Sequence, residues 1–205
     1  MSYSSKLMEN AVDALSRLPG IGKKSALRLA LHLIREDKNT VLDAFVEPLR
    51  ALAEQIMFCK TCNNISDTEK CSICTERESK SDTICIVESI RDVMAIEDTG
   101  QYNGLYHVLG GVISPLDGVS AEDLSIQQFF DRIKDQNITE VIMALSPTIE
   151  GETTIYYISK GLKDSGIHIS QLARGISFGG DLEFADELTL GRSILTRTDY
   201  QIKEL

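Results

Sequence analysis

The apolar positions of the chain change period partway along. Between residues 4 and 18, Leu7, Ala11, Leu15 and Leu18 recur every three to four residues, which predicts a helix with one inward face. Pro19-Gly20-Ile21-Gly22 interrupts that pattern with a tight turn. Helical spacing resumes from Gly22 to Arg35, with Leu27, Ala30, Leu31 and Ile34 inward. A third helix is predicted from a cap at Asn39-Thr40 to about Phe58, with a kink or break before Pro48. From Thr83 the texture is different. Ile84-Cys85-Ile86-Val87 is a continuous apolar run, the mark of a strand covered on both faces. Tyr106 to Leu109, Glu140 to Leu145 and Ile167 to Leu172 read as further strands, and residues 122–136 and 151–165 as helices. Strand alternating with helix predicts an α/β domain with a mostly parallel sheet. Residues 182–195 form an amphipathic, helical tail, and the polar stretch 76–82 reads as a linker.

Composition narrows the class. The chain has 205 residues, 42% apolar and 25% charged, which suits one large or two small globular domains and excludes a largely disordered chain. No apolar run approaches the ~20 residues of a membrane span, and Met1 to Asn10 lacks the apolar core of a signal peptide. A cytoplasmic protein without membrane contact is expected. The net charge of −10 argues against nucleic-acid binding until it is divided by position. Residues 1–80 hold 12 Lys/Arg against 11 Asp/Glu, whereas residues 81–205 hold 9 against 20. A near-neutral N-terminal part with basic clusters is joined to a strongly acidic body.

Four of the five cysteines form the pattern Cys59-x2-Cys62-x8-Cys71-x2-Cys74. Each CxxC offers two thiolates from one tight knuckle, and two knuckles complete a tetrahedron, so the spacing predicts structural zinc, one per chain. The loop from Asn63 to Lys70 is polar and needs a metal for its folding energy. Cys85, on an apolar strand, reads as a small buried hydrophobe.

The turn at Pro19-Gly20-Ile21-Gly22 leads into Lys23-Lys24, with Arg28 one helical turn further. Glycines admit close backbone approach, and free N–H groups at a helix start favour a phosphate. Gly20, Gly22, Lys23, Lys24 and Arg28 are therefore the candidate DNA-binding residues, a clamp on the phosphate backbone that ignores sequence. The run resembles the helix-hairpin-helix motif. A nucleotide-binding P-loop is excluded, because its first Gly and its Ser/Thr positions hold Arg17 and Lys24. The three histidines, His32, His107 and His168, have no second ligand or base at useful spacing and are expected to be structural.

In the acidic body, Glu88 follows the strand at 84–87, and Ser146, Thr148, Glu150 and Glu152 follow the strand at 141–145. Open α/β sheets bind ligands at that edge. These segments resemble the Toprim domain of topoisomerases and primases, in which a strand-end Glu and a later Asp-x-Asp hold Mg²⁺. Glu88 matches the Glu, but Ser146 and Thr148 stand at the Asp positions, and hard Mg²⁺ prefers charged oxygens. Glu88, Glu150 and Glu152 remain as an acidic edge for a weak Mg²⁺ ion or a partner contact. No tyrosine nucleophile is recognisable among Tyr3, Tyr102, Tyr106, Tyr156, Tyr157 and Tyr200. A non-enzymatic scaffold is expected, and a Mg-dependent Toprim nuclease or primase-like enzyme is the alternative.

Helix-hairpin-helix, four-cysteine site and degenerate Toprim occur in that order. Gly104-Leu105-Tyr106-His107-Val108-Leu109-Gly110-Gly111, Ser114-Pro115-Leu116-Asp117-Gly118, Ala173-Arg174-Gly175-Ile176 and Gly179-Gly180-Asp181-Leu182-Glu183 accompany them. With these runs the chain resembles the RecR family of bacterial recombination proteins over its whole length. It departs from the family at Ser146, where Asn is usual. The resemblance implies a multi-domain α/β protein: a helix-hairpin-helix region at 1–56, a four-cysteine zinc finger at 57–78, a Toprim domain at 79–178 and a C-terminal segment for subunit contacts at 179–205. It further implies a DNA-binding mediator of recombinational repair, assembled as a ring-like dimer or tetramer. Such a mediator works with RecO, and with RecF where present, to load RecA on single-stranded DNA. Charge agrees with that division, since an acidic body repels DNA in bulk and confines contact to the basic hairpin.

Overall fold

The computed structural model describes residues 5–176 and 179–199. Ser4, where the first helix was expected to begin, Tyr3, Tyr200 and the inner boundary of the segments 79–178 and 179–205 at Phe178 lie outside the described residues, as does Leu205. The chain divides into two compact units, Met1–Ile56 and Met57–Leu205.

In the first unit, α1 (Lys6–Ser16) and α2 (Lys23–Arg35) form the expected hairpin. Ser5 caps α1 by accepting from the Met8 N–H. The seam is narrow because its buried residues are small: Val12 and Ala26 are fully buried and Ala30 is 3% exposed. Gly20 takes φ +79°, a conformation that favours glycine and closes the turn between the helices. Next come α3 (Lys38–Val41), a π-turn (Leu42–Val46) and α4 (Glu47–Gln55). The cap expected at Asn39-Thr40 is instead Asp37, whose carboxylate accepts from both of their N–H groups. The expected kink at Pro48 is a local widening. The Glu47 N–H bonds Leu42 O, five residues back, in the turn that delivers the chain to a residue with no N–H to give. The helix ends at Gln55 rather than Phe58, because Ile56 is extended and Met57-Phe58 joins a strand pair. Among the described residues of this unit, no side chain of α3, the π-turn or α4 is buried, although Leu42, Phe45, Leu49 and Leu52 are large and apolar.

The second unit opens with a small antiparallel pair, β1 (Met57–Phe58) and β2 (Ile65–Ser66), and a short helix α5 (Ser72–Arg77). It continues as β3 (Thr83–Val87), α6 (Ile90–Asp98), β4 (Leu105–Val108), α7 (Ile126–Asp135), β5 (Glu140–Ala144), α8 (Ile149–Gly161) and β6 (His168–Gln171), with α9 (Glu187–Leu195) near the end. The sheet is parallel in the order β4-β3-β5-β6. Side chains alternate between its faces. Ile84 and Ile86 meet Phe129 of α7 and Ile158 of α8 on one side, while Cys85 and Val87 meet Val93 of α6 and Tyr106 on the other. Cys85 is thus the small core residue its strand implied.

Several expectations need correction. The helix read at 122–136 is a 3-10 turn at Ala121–Asp123 followed by α7, because Ser120 caps the turn with Asp123 and Leu124 is extended. The helix read from Gly151 starts at Ile149, since Thr148 accepts from the Gly151 N–H. The tail is a 3-10 turn at Leu182–Phe184 and then α9, which Asp186 caps. The helix α6 has no counterpart in the apolar pattern, although Ser89 and Asp92 form a capping box at its start. The stretch 76–82 is not a free linker. Arg77, in α5, makes a two-pronged ion pair with Glu97 (2.8 and 2.6 Å) and donates to Gly104 O. Tyr106 donates to the same Glu97 at 2.8 Å. Among the described residues, no helix is long and apolar enough to cross a membrane.

His107, on β4, is fully buried, with its ring beside Phe129. Nε2–H donates to Ser125 O at 2.9 Å. Burial, joined by the charge of Arg132, lowers the His107 pKa from 6.5 to about 4, while the bond to Ser125 opposes the shift. The imidazole is therefore neutral in the fold, and an unfolded chain takes up a proton that the folded chain refuses. Stability is complete above pH ~6.5 and falls as pH drops toward 4, by up to ~1.4 kcal/mol per pH unit. Denaturant unfolding of the zinc-loaded chain between about pH 6.5 and 5 checks this. His107→Asn should flatten that slope by about one proton, whatever its effect on stability at neutral pH.

Candidate metal centre and nucleic-acid interface

The metal centre is built by two turns that present their thiols inward. The Sγ atoms of Cys59, Cys62, Cys71 and Cys74 all lie within 4.8 Å of one another, and all four residues are buried. Sulfurs around tetrahedral zinc at ~2.3 Å stand about 3.8 Å apart, and Cys62 and Cys71 are 3.5 Å apart. Backbone amides already point at sulfur, that of Cys71 at Cys59 Sγ (3.3 Å) and that of Cys74 at Cys71 Sγ (3.5 Å). Without metal the thiols must share protons. Hydrogen bonds from Cys62 and Cys74 hold the Cys71 pKa well below that of a free thiol, and the same contact with Cys71 raises that of Cys62. For Cys74 the contact with Cys62 lowers the pKa, but Cys71 and burial outweigh it and push the group up to about 12, with Arg132 acting to lower it. A dication in place of the protons removes that competition, so the residues fit zinc. When bound, zinc supplies the cross-link that the polar loop cannot.

The knuckle is seated on the sheet. The Val108 N–H donates to Cys62 O at 2.8 Å, and Asn63 Nδ2 donates to Val108 O at 3.1 Å. Asn63 takes φ +61°, a left-handed conformation that asparagine tolerates better than most residues. These bonds occupy the open side of β4, the edge strand. Sequence reasoning missed Asn63, whose signal was an Asn directly after a CxxC turn.

In the first unit, Gly20, Gly22, Lys23, Lys24 and Arg28 are all exposed. Gly22 caps α2 with no side-chain bond to the free amides, and the space around its Cα is open. Lys24 and Arg28 line a groove of about 400 Å³ together with Leu27, Leu31, His32 and Arg35. Lys24, Arg28, His32 and Arg35 are spaced by four, four and three residues, a single helix face. That spacing was legible, and it extends the basic face to Arg35. His32 also lies 3.6 Å from Glu36.

The Toprim edge lies at the carboxyl ends of β3 and β5, neighbours whose outgoing connections run to opposite sides, β3 to β4 and β5 to β6. Ser146 donates to Glu88 at 3.3 Å. Thr148 is occupied in capping α8, and Glu152 pairs with Arg174. Glu150 is partly buried in the first turn of α8. Among the described residues, the four cysteines are the group of three or more ligand side chains gathered closely enough for a metal, and the three glutamates do not form another.

A helical hairpin, a four-thiol knuckle and a parallel sheet with a strand-end glutamate define a Toprim-fold protein with an appended helical hairpin and four-cysteine domain. Sequence models of known families match the same segments: RecR, helix-hairpin-helix over 8–52; RecR, four-cysteine zinc finger domain over 56–75; Toprim domain over 82–173; and RecR, C-terminal over 175–198. Relatives named recombination protein RecR include one from Bacteroides thetaiotaomicron, 55% identical over 96% of this chain and 95% of its own. Another, from Flavobacterium johnsoniae, is 52% identical over 98% and 97%, and one from Cytophaga hutchinsonii is 51% identical over the full length of both. The chain belongs to the RecR family of recombination proteins.

Chelation provides a count. The zinc-loaded chain should show no rapidly reacting thiol toward a colorimetric disulfide reagent. A strong chelator should expose four, while Cys85 reacts only on full unfolding. Five fast thiols, or none after chelation, would contradict this assignment of the cysteines.

Proposed function

We propose that this chain is a non-catalytic DNA-binding mediator of recombinational repair in the cytoplasm. It acts as an oligomeric clamp that works with RecO, and with RecF where present, to promote RecA loading on single-stranded DNA. The observation that carries the reading is the exposed basic set of α2 in a chain of net charge −10: Lys23 and Lys24 at a helix start without a side-chain cap, Arg28 one turn on and Arg35 at the far end. Phosphate contacts of this kind hold DNA without reading its sequence. One small patch binds weakly, and several patches held in a ring multiply through effective concentration.

The exposed apolar side chains Leu42, Phe45, Leu49 and Leu52 support self-assembly of the N-terminal region, and Leu182, Phe184 and Leu188 support the same role for the C-terminal segment. The working division is 1–56 for DNA, 57–78 for zinc through Cys59, Cys62, Cys71 and Cys74, 79–178 for the Toprim scaffold and 179–205 for subunit contact. Glu88, Glu150 and Glu152 are better suited to a basic partner protein than to Mg²⁺. Ser146 and Thr148 bring no charge to the edge, and Glu152 is already paired.

DNA affinity measured across a salt series tests the reading. Each phosphate contact contributes about 0.7–0.9 to the slope of log K against log salt. Lys24→Glu with Arg28→Glu should lower that slope by about 1.4–1.8 and weaken binding at least about tenfold at low salt. An unchanged slope would mean that the hairpin is only a helical corner. Mg-dependent cleavage of DNA lost in Glu88→Ala would replace the mediator by an enzyme.

A further inference from the structure

Arg132 is a charged residue in an unusual place. It lies on α7, is only 7% exposed, and is not the partner of any acidic side chain in the ion pairs among the described residues. Nη1 donates to Tyr106 O on the edge strand at 2.6 Å, and Nε donates to Gln136 at 2.9 Å. Nη2 is buried with no hydrogen-bond partner among the described residues. A buried guanidinium keeps its charge, and burial without a counter-charge is strongly unfavourable.

Its neighbours on the helix show what it faces. Gln128, one turn before, donates to Lys60 O, between the first two cysteines. Gln136, one turn after, donates to Glu78, whose own N–H bonds Cys74 O at the end of α5. The stripe Gln128-Arg132-Gln136 therefore runs across the knuckle from its first CxxC to the helix that bears the second. Two residues beyond Tyr106 on the same strand, the Val108 N–H holds Cys62 O.

Four thiolates around a dication carry a net charge of −2, enclosed by buried residues. We propose that Arg132 is the buried counter-charge of this centre, a positioning residue that stabilises the metal-loaded knuckle against the sheet edge. The inference rests on the zinc reading of the four cysteines. Lys70, next to Cys71 in the chain, is 40% exposed and paired with Glu78, so solvent screens its charge.

Zinc affinity by competition with a chromophoric chelator, on the full chain, tests this in Arg132→Gln and Arg132→Lys. Arg132→Gln should weaken zinc binding by about 10–100-fold, and Arg132→Lys, which keeps the charge, should recover most of it. Unfolding in denaturant separates charge from structure. Arg132→Gln should destabilise the zinc-loaded chain yet leave the chelator-stripped chain unchanged or more stable, because there the guanidinium has no thiolate charge to answer. Equal loss in both forms with unchanged zinc affinity would reduce Arg132 to a cap for Tyr106 O and overturn the proposal. If wild type holds no zinc, the reading of the centre fails, and the inference with it.

Discussion

The second unit depends on how the open edge of its sheet is closed. β4 has β3 on one side and would otherwise present unpaired backbone groups on the other. The knuckle supplies the missing partners: Cys62 O for the Val108 amide and the Asn63 side chain for the Val108 carbonyl. Arg132 takes the Tyr106 carbonyl. The four cysteines are thus more than a staple for their own loop. They hold a polar segment in the shape that completes a parallel sheet. The Arg77–Glu97–Tyr106 cluster fastens the far end of the same segment, so α5 cannot swing away from β4.

The first unit meets a different constraint. Among the described residues, the hairpin fully buries only a seam of small residues, with Met8, Leu15, Ile21 and Leu27 half-buried around it. A core of Val12, Ala26 and Ala30 is modest for 56 residues, and small units of this kind ordinarily need a further source of stability. In the proposed reading that source is assembly with other copies. On the same reading, assembly would also gather several basic α2 faces around one DNA. Weak contact and oligomerisation would then be two sides of one requirement, because a chain with a net charge of −10 would hold DNA only where positive charge is concentrated.

Much of this was legible in the sequence for identifiable reasons. A metal site made of two CxxC turns is local, so spacing alone gathers the thiols. Parallel strands are covered on both faces, so they read as apolar runs, and β3 and β5 fell where expected. The glycine turn of the hairpin was legible because Gly20 needs its left-handed φ. What was not legible depends on contacts distant in sequence. α5 is six residues long and is held by Cys71 at its start and Glu97 beyond its end. α6 buries only Val93, too little for a helical period to show. Arg132 looks like any basic residue near the end of a surface helix, and its burial follows from a knuckle about seventy positions earlier that folds over it. The widened turn before Pro48 needed the structure, because a proline signals only that something must give.

Amide exchange at Val108 tests most directly whether the metal knuckle completes the sheet. Its N–H points at Cys62 O at 2.8 Å, so its protection reports that single junction. In the zinc-loaded chain it should exchange as slowly as the amides of β3 and β5. After zinc is stripped it should exchange about fivefold faster or more, the loss of a hydrogen bond worth ~1 kcal/mol or more, while the amides of β3 and β5 keep their protection. A Val108 amide that exchanges at the same rate with and without zinc would contradict the account, leaving the four cysteines a local staple with no hold on the fold.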